Sequence, residues 1–458
     1  MRDTPSAELT SQGCRRFKPY PTYKDSGVDW LGDIPAHWSL QRLKYNSYLK
    51  GRIGWQNLRS EEFTLEGPYL VTGMHFKNGS VDWDACFHVT MERYHMSPEI
   101  HVREGDIIVT KDGTIGKTAH IARLPYLATL NSHLLLVRAL GGQYRPRFLY
   151  YLFDSATFQT YARFAEGGTT FFGITQEAVS NFSITLPSLE EQSAIAAFLD
   201  RETAKIDALI AKKEQLIELL QEKRRALITR AVTRGLDPNV PMKDSGIEWM
   251  GEIPAHWEVK PFTKYVVEKS DYRGKTPEKV ASGVFLVTAR NVKMGLIDYE
   301  CSQEFIAEED YDEIMRRGLP RRGDILFTTE APLGNVALVD REDIALAQRI
   351  IRFRMNAKHF DSRFTLFAMM SGYFQAQLVS LSTGSTAEGL KATKLPMLRL
   401  VAPSPAEQRA IVEFIDQETA IIDALLAKVR DAIERLKEYR TALISATVTG
   451  KIDIREAA

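Results

Sequence analysis

Only three cysteines, Cys14, Cys86 and Cys301, occur in 458 residues, and they lie far apart. Neither a disulfide framework nor a four-cysteine zinc site can be assembled from them, which fits a reducing compartment. An excess of either charge is also lacking, since 59 Lys and Arg balance 59 Asp and Glu. That excludes a protein that coats nucleic acid by charge alone, but not a reader with local basic grooves. No apolar run is long enough to span a membrane. The most apolar helical stretch, 364–381, is interrupted by Ser371, Gly372, Gln375 and Gln377, and the first residues lack the apolar core of a signal peptide. Catalytic signatures are missing too. Around Gly116-Lys117-Thr118, Lys111 stands where a phosphate-binding GxxxxGK[ST] loop needs glycine. The chain has no Asn-Pro-Pro-aromatic or Asp-Pro-Pro-aromatic run of an amino-methylating enzyme, and no Pro-Asp dipeptide of the usual metal-nuclease motif. Cys86, His88, His95 and His101 can be drawn as a metal cluster, but Cys301 in the second half has no matching histidines, so no metal is expected.

What the chain does contain is itself, twice. Residues 24–38 read KDSGVDWLGDIPAHW and residues 243–257 read KDSGIEWMGEIPAHW, with eleven of fifteen positions identical. Residues 191–233 match 407–449 at 25 of 43 positions, at a constant offset of 216. Tandem copies make a pseudo-dimer, which tends to arrange its halves about an approximate two-fold axis. A target with two parts is the natural expectation.

The second repeat carries a heptad seam. Ile206, Ile210, Lys213, Ile217, Leu220, Arg224 and Leu227 follow the alternating four-three step, and Ile422, Leu426, Val429, Ile433, Leu436, Arg440 and Leu443 repeat it. Pro187 and Pro403 stand before the two segments, and Gly235 and Gly450 follow them, as expected at helix boundaries. Each helix should run ~40 residues, or ~60 Å. Arg224 and Arg440 share one heptad slot, where they either snorkel at a wet end or fix the register of the pair. A short connector leaves no length for the chain to return, so the two helices should pair antiparallel. Trp30, Pro35 and Trp38, with Trp249, Pro254 and Trp257, then form an apolar clasp at each helix tip, and His37 and His256 read as clasp residues rather than ligands.

Between clasp and helix, each copy holds a long stretch of mixed character. The runs 106–110 and 324–328, each preceded by a turn glycine (Gly105, Gly323), read as strands. Residues 148–162 and 364–378 read as one amphipathic helix in each copy. Candidate nucleic-acid contacts combine cationic, amide, hydroxyl and aromatic groups on loops. They are Arg52, Trp55, Gln56, Asn57, His75, Lys77, Lys111, Thr169 and Thr170 in the first copy, and Arg273, Lys275, Thr276, Arg290, Asn291, Lys293, Ser385 and Thr386 in the second. Arg and Lys suit guanine edges or phosphates, and Asn and Gln suit adenine.

The KDSGxxWxGxIPAHW clasp, the strand GDIIVTKDGTIGK, the SLEEQ and SPAEQ helix starts and the helix IDALIAKKEQLIELLQEKRRALI, each with its second copy, together resemble the specificity subunit of Type I restriction-modification systems. The resemblance covers almost the whole chain. It implies an α+β fold with two tandem target-recognition domains, separated by two long antiparallel coiled-coil helices in pseudo-two-fold symmetry. The implied division is an N-terminal segment (1–23), a first recognition domain (24–187), a first spacer helix (188–234), a connector and second recognition domain (235–403), a second spacer helix (404–450) and a tail (451–458). Each domain would read half of a bipartite double-stranded DNA site, with the helices as a ruler for the gap. The implied partners are two modification subunits that bind S-adenosylmethionine and methylate adenine, and restriction subunits that use ATP and Mg. The chain itself would be non-catalytic, bind no cofactor and be cytoplasmic. One departure within the repeat is that Gly116-Lys117 of the first copy is Gly334-Asn335 in the second. A pseudo-symmetric scaffold clamping two protein or RNA ligands is the alternative from another class.

Overall fold

The computed structural model describes residues 17–51, 62–167, 173–272, 277–382 and 389–455. The chain forms two compact units, one of residues 1–213 with 431–458 and one of residues 214–430. The division falls inside the two long helices, Leu189–Arg234 and Pro405–Val448, so each unit owns half of each. At 46 and 44 residues they are somewhat longer than the heptad pattern alone suggests.

The first unit is built on a four-stranded antiparallel sheet with strands in the order Thr118–His120, Ile107–Thr110, Leu134–Ala139 and Ser47–Gly51. Ile107–Thr110 is buried along its whole length, which explains why it reads as a continuous apolar run rather than an alternating one. Gly105, at φ +85°, makes the turn into it, a backbone region that a side chain would disfavour. Asp106 is fully buried at the strand start and is balanced by Arg138, whose Nε lies 2.7 Å away. A three-stranded sheet joins Ala128–Leu130, Thr64–Val71 and Phe87–His88, and its Ala128–Leu130 pair is parallel.

The second unit repeats this plan. Its four-stranded sheet runs Val336–Leu338, Ile325–Thr328, Ile350–Met355 and Val266–Asp271, and its three-stranded sheet joins Ile344–Leu346, Val284–Val287 and Phe305–Ile306. Asp324 again starts the buried strand, but here it meets both Arg354 and a fully buried Arg352, and Glu268 pairs with both arginines.

The helix expected over 148–162 is two helices, Pro146–Asp154 and Ala156–Phe164, broken at Ser155. The second copy is likewise Ser362–Met370 and Gly372–Leu381, broken at Ser371. Serine competes for backbone partners. Ser155 Oγ donates to Leu152 O at 2.6 Å and accepts from the Phe158 N–H, so it ends one helix and caps the next. The next N–H, of Ala156, is taken up by Ser445 Oγ of the second long helix, as the Gly372 N–H is by Thr229 of the first. Each break is therefore where a recognition domain fastens to a long helix.

Along the long helices Ile206, Ile422, Leu426, Ile433 and Leu443 are buried, and Ile210, Ile217, Leu220, Leu227, Val429 and Leu436 are half-buried. In the first unit Ile195, Leu199 and Ile206 share a core with Leu443, Ile444 and Val448, and in the second Ile228 and Val232 share one with Ile411 and Ile415. Within each unit the half-helices therefore run antiparallel. The clasps close on the helix ends. Trp38 is fully buried beside Gly450, where a Cβ would lie 2.3 Å from Pro35 Cδ, and Trp257 packs on Gly235 in the same way. Trp30 and Trp249 remain half-exposed. His37 pairs with Glu191 at 3.0 Å and His256 with Glu407 at 2.7 Å. Among the described residues no helix is long and apolar enough to cross a membrane.

Candidate nucleic-acid interface

In each unit several chain segments meet at one edge of the four-stranded sheet. In the first unit the strand Ile107–Thr110 runs out into Lys111 and Asp112. The Lys111 N–H donates to His133 O at 2.8 Å, and Lys111 O accepts from the Ile174 N–H at 2.8 Å. Asp112 pairs with Gly173 as an isolated bridge. The edge strand one place further along the sheet, beyond Leu134–Ala139, ends at Gly51, whose N–H donates to Gln176 Oε1 at 3.1 Å. A Cβ on Gly51 would stand 3.1 Å from Lys111 Nζ, so the ammonium lies against bare backbone. Burial lowers the Lys111 pKa, and Asp112 pulls it the other way.

The second unit uses the same frame with different side chains. The Thr329 N–H donates to Arg349 O at 3.0 Å, Thr329 O accepts from the Leu390 N–H at 2.9 Å, and Glu330 bridges Gly389. Across this edge the first unit sets Asp112 against His133 at 2.7 Å, and the second sets Glu330 against Arg349 at 3.3 Å. Both pairs are well exposed, and Arg349 is held at φ +74°, outside the ordinary range for a side-chain-bearing residue. Constant backbone with exchanged exposed donors and acceptors is what two readers of different sequences require. These four residues were not singled out in the sequence. The members of each pair lie on different segments, well separated along the chain, and the signal available was their equivalence across the repeat, 133 with 349 and 112 with 330.

Of the residues chosen from the sequence, Lys111 sits at this edge. Lys77 is exposed on a hairpin with Asp82 3.4 Å away, Arg290 is exposed, and Lys293 is half-buried with its Nζ 3.2 Å from Cys301 Sγ. Two assignments need correction. His75 and Asn291 are buried and face inward, so neither presents an edge to a base. They occupy equivalent positions in the two copies and do the same work. His75 Nδ1 accepts the Thr72 N–H at 3.1 Å, and Asn291 Oδ1 accepts the Thr288 N–H at 2.9 Å. Asn291 Nδ2 is also used, donating to Asp298 O and Ser302 O. A tight turn leaves its first N–H without a ladder partner, and the third following side chain supplies one. Burial lowers the His75 pKa, against a smaller raising effect of Asp82. Arg52, Trp55, Gln56, Asn57, Thr169, Thr170, Arg273, Lys275, Thr276, Ser385 and Thr386 lie outside the described residues. Among the described residues no group of three or more His, Cys, Asp or Glu could hold a metal ion, and burial pushes the Cys86 thiol up to about 12.

A family model for the Type I restriction modification DNA specificity domain matches residues 56–219 and 294–435. The chain belongs to that family. It is 26% identical over 431 residues to the Type I restriction enzyme MjaVIII specificity subunit of Methanocaldococcus jannaschii, covering 92% of this chain and 94% of that protein. To the EcoKI specificity subunit of Escherichia coli K12 it is 22% identical over 452 residues, covering 92% and 90%. A chain solved in work on complex assembly and conformational transition of the type I R-M system overlays 91% of this chain and 98% of its own at a TM-score of 0.59. Its 16% identity makes that a likeness of fold alone. The protein is thus a Type I specificity subunit with two DNA-specificity domains of α+β class and two long helices, and the scaffold alternative is not favoured. In this subunit the sheet edge that carries Lys111, His133 and Asp112, and its counterpart with Arg349 and Glu330, is a place where its two domains present different exposed side chains on a shared frame.

Proposed function

We infer that each unit reads one half of a bipartite double-stranded DNA site through its sheet edge, while the two long helices set the gap between the halves. The observation that carries this reading is the exchange of Asp112 and His133 for Glu330 and Arg349 on one conserved backbone frame. Arg reads guanine, acidic side chains accept from cytosine, and His can donate to either acceptor-bearing purine edge. Two different half-sites follow. The partners are two modification subunits that carry S-adenosylmethionine and methylate adenine, and restriction subunits that carry ATP and Mg. This chain holds the address and leaves the chemistry to them, in keeping with its lack of an amino-methylating motif and with its balanced charge, which suits a protein that shares DNA binding. The complex works in the cytoplasm, beside the chromosome it marks.

The test is co-expression of the chain with a modification subunit, followed by sequencing the host genome for methylated adenines. A two-part motif with a fixed gap is expected. A stable complex that leaves no such motif would overturn the reading.

A further inference from the structure

An aliphatic seam is a poor judge of register, because sliding two helices by one heptad again sets apolar against apolar. The clasps and the serine breaks fasten each domain to the helix ends, and within the seam itself something other than Ile and Leu must select one alignment. In the first unit Arg440 of the second long helix reaches Asp207 of the first, Nε to Oδ1 at 3.1 Å. In the second unit Arg224 of the first long helix reaches Asp423 of the second, Nη1 to Oδ1 at 2.8 Å. The two pairs are one interaction written twice with the helices exchanged. Arg440 is the second-copy counterpart of Arg224, and Asp423 is that of Asp207. Each pair joins a seam arginine to an aspartate beside the seam of the opposite helix, so a slip of one heptad breaks both at once.

The half-exposure of these groups makes them modest contributors to stability, since exposed pairs are screened by water. They are well suited to selecting among alignments that the aliphatic contacts leave nearly equal, as polar seam residues do in coiled coils. The two locks are not identical. Arg440 also reaches Asp154 Oδ2 at 3.0 Å, at the end of the Pro146–Asp154 helix, and so ties the recognition domain of its unit to the same register. Met370 occupies the equivalent place in the second unit, and the Arg224 Nε is buried with no hydrogen-bond partner among the described residues.

We propose that Arg224–Asp423 and Arg440–Asp207 are a paired register lock that holds the long helices in one alignment, and that these positioning residues thereby restrict the subunit to a single gap between half-sites. This rests on the reading of the helices as the gap-setting element. The test compares three full-length chains, each co-expressed with the modification subunit: wild type, Asp207→Asn with Asp423→Asn, and Asp207→Asn carrying the charge exchange Arg224→Asp with Asp423→Arg. The gap is read from methylated adenines genome-wide. Wild type should give one gap, the double Asn variant two or more gap lengths, and the exchanged pair one gap again. A double Asn variant that keeps the single gap with only lower methylation overturns the lock and leaves the pairs as ordinary stabilisers. Loss of the complex in both variants also overturns it, because an exchanged pair should restore the alignment. Absence of a bipartite motif in wild type would instead refute the underlying reading, so the two failures are distinguishable.

Discussion

Deleting 211–217 from the first long helix and 427–433 from the second tests the ruler with a magnitude attached. Seven residues keep the seam in phase, with a drift of only about 20° around the helix. Asp207, Arg224, Asp423 and Arg440 all survive, so both inter-helix ion pairs can still form. Of the seam residues lost, Ile433 is buried while Ile217 and Val429 are half-buried, so the missing burial costs on the order of 3 kcal/mol. A fold of this size should survive that. The helices shorten by about 10.5 Å, which equals about three steps of B-DNA at 3.4 Å each. That figure is reached with helices and DNA parallel, and any tilt reduces it, so the preferred gap should fall by one to three base pairs. Three base pairs also turn one half-site by about 100° relative to the other, because B-DNA turns once in 10 to 10.5 base pairs. The helix pair supplies only about 20° of that rotation. Methylation at the new sites should therefore be less complete than at the original ones. Genome-wide mapping of methylated adenines reads both quantities, and an unchanged gap in a folded, complex-forming variant refutes the ruler.

Gly450→Ala should destabilise the chain by about 2–4 kcal/mol, because φ is +73° and the new Cβ would stand 2.3 Å from Pro35 Cδ. Gly27→Ala shares the backbone strain, at φ +69°, but has nothing within 4 Å, so equal losses in denaturant titration would remove the steric argument. Glu407 is partly buried, which alone would raise its pKa, but hydrogen bonds from Trp257, His256 and Ser404 bring it down to about 2. Its contribution is therefore fully present above the ordinary value near 4.5 and lost as pH falls through about 2, at about 1 kcal/mol after solvent screening. The stability difference between wild type and Glu407→Gln should shrink over that interval, and a pH-independent difference would count against the assignment. Arg349→Gln should change one base position in one half-site, with a discrimination loss of about 1–3 kcal/mol, and His133→Asn should do so in the other half-site. If either variant altered both half-sites of the methylated motif, the edge would not be the reading surface.

Much of the architecture was legible because repetition and periodicity are properties of the chain. The constant offset between the copies announced two units, the four-three spacing announced the long helices, and Gly105 and Gly323 marked the turns into the buried strands. The single helix expected at 148–162 failed where one serine outweighed an apolar periodicity that continues across it. Ser155 finds partners in its own turn, and Ser445 caps the N–H that follows. No local pattern reveals a partner so distant along the chain.

The reading surface was less legible, because loop composition says which groups could bind but not which way they point. His75 and Asn291 looked like base readers by residue type, and the turns at Thr72 and Thr288 claimed them instead. Asp112 meets His133, and Glu330 meets Arg349, only because strand register brings together segments that the sequence separates. By itself, then, the sequence determined what repeats and with what period, since those follow from the order of residues and the geometry of the helix. Tertiary structure decided which polar groups are spent on the protein's own backbone and which are left to face a ligand. That outcome depends on where each unpaired N–H falls in space.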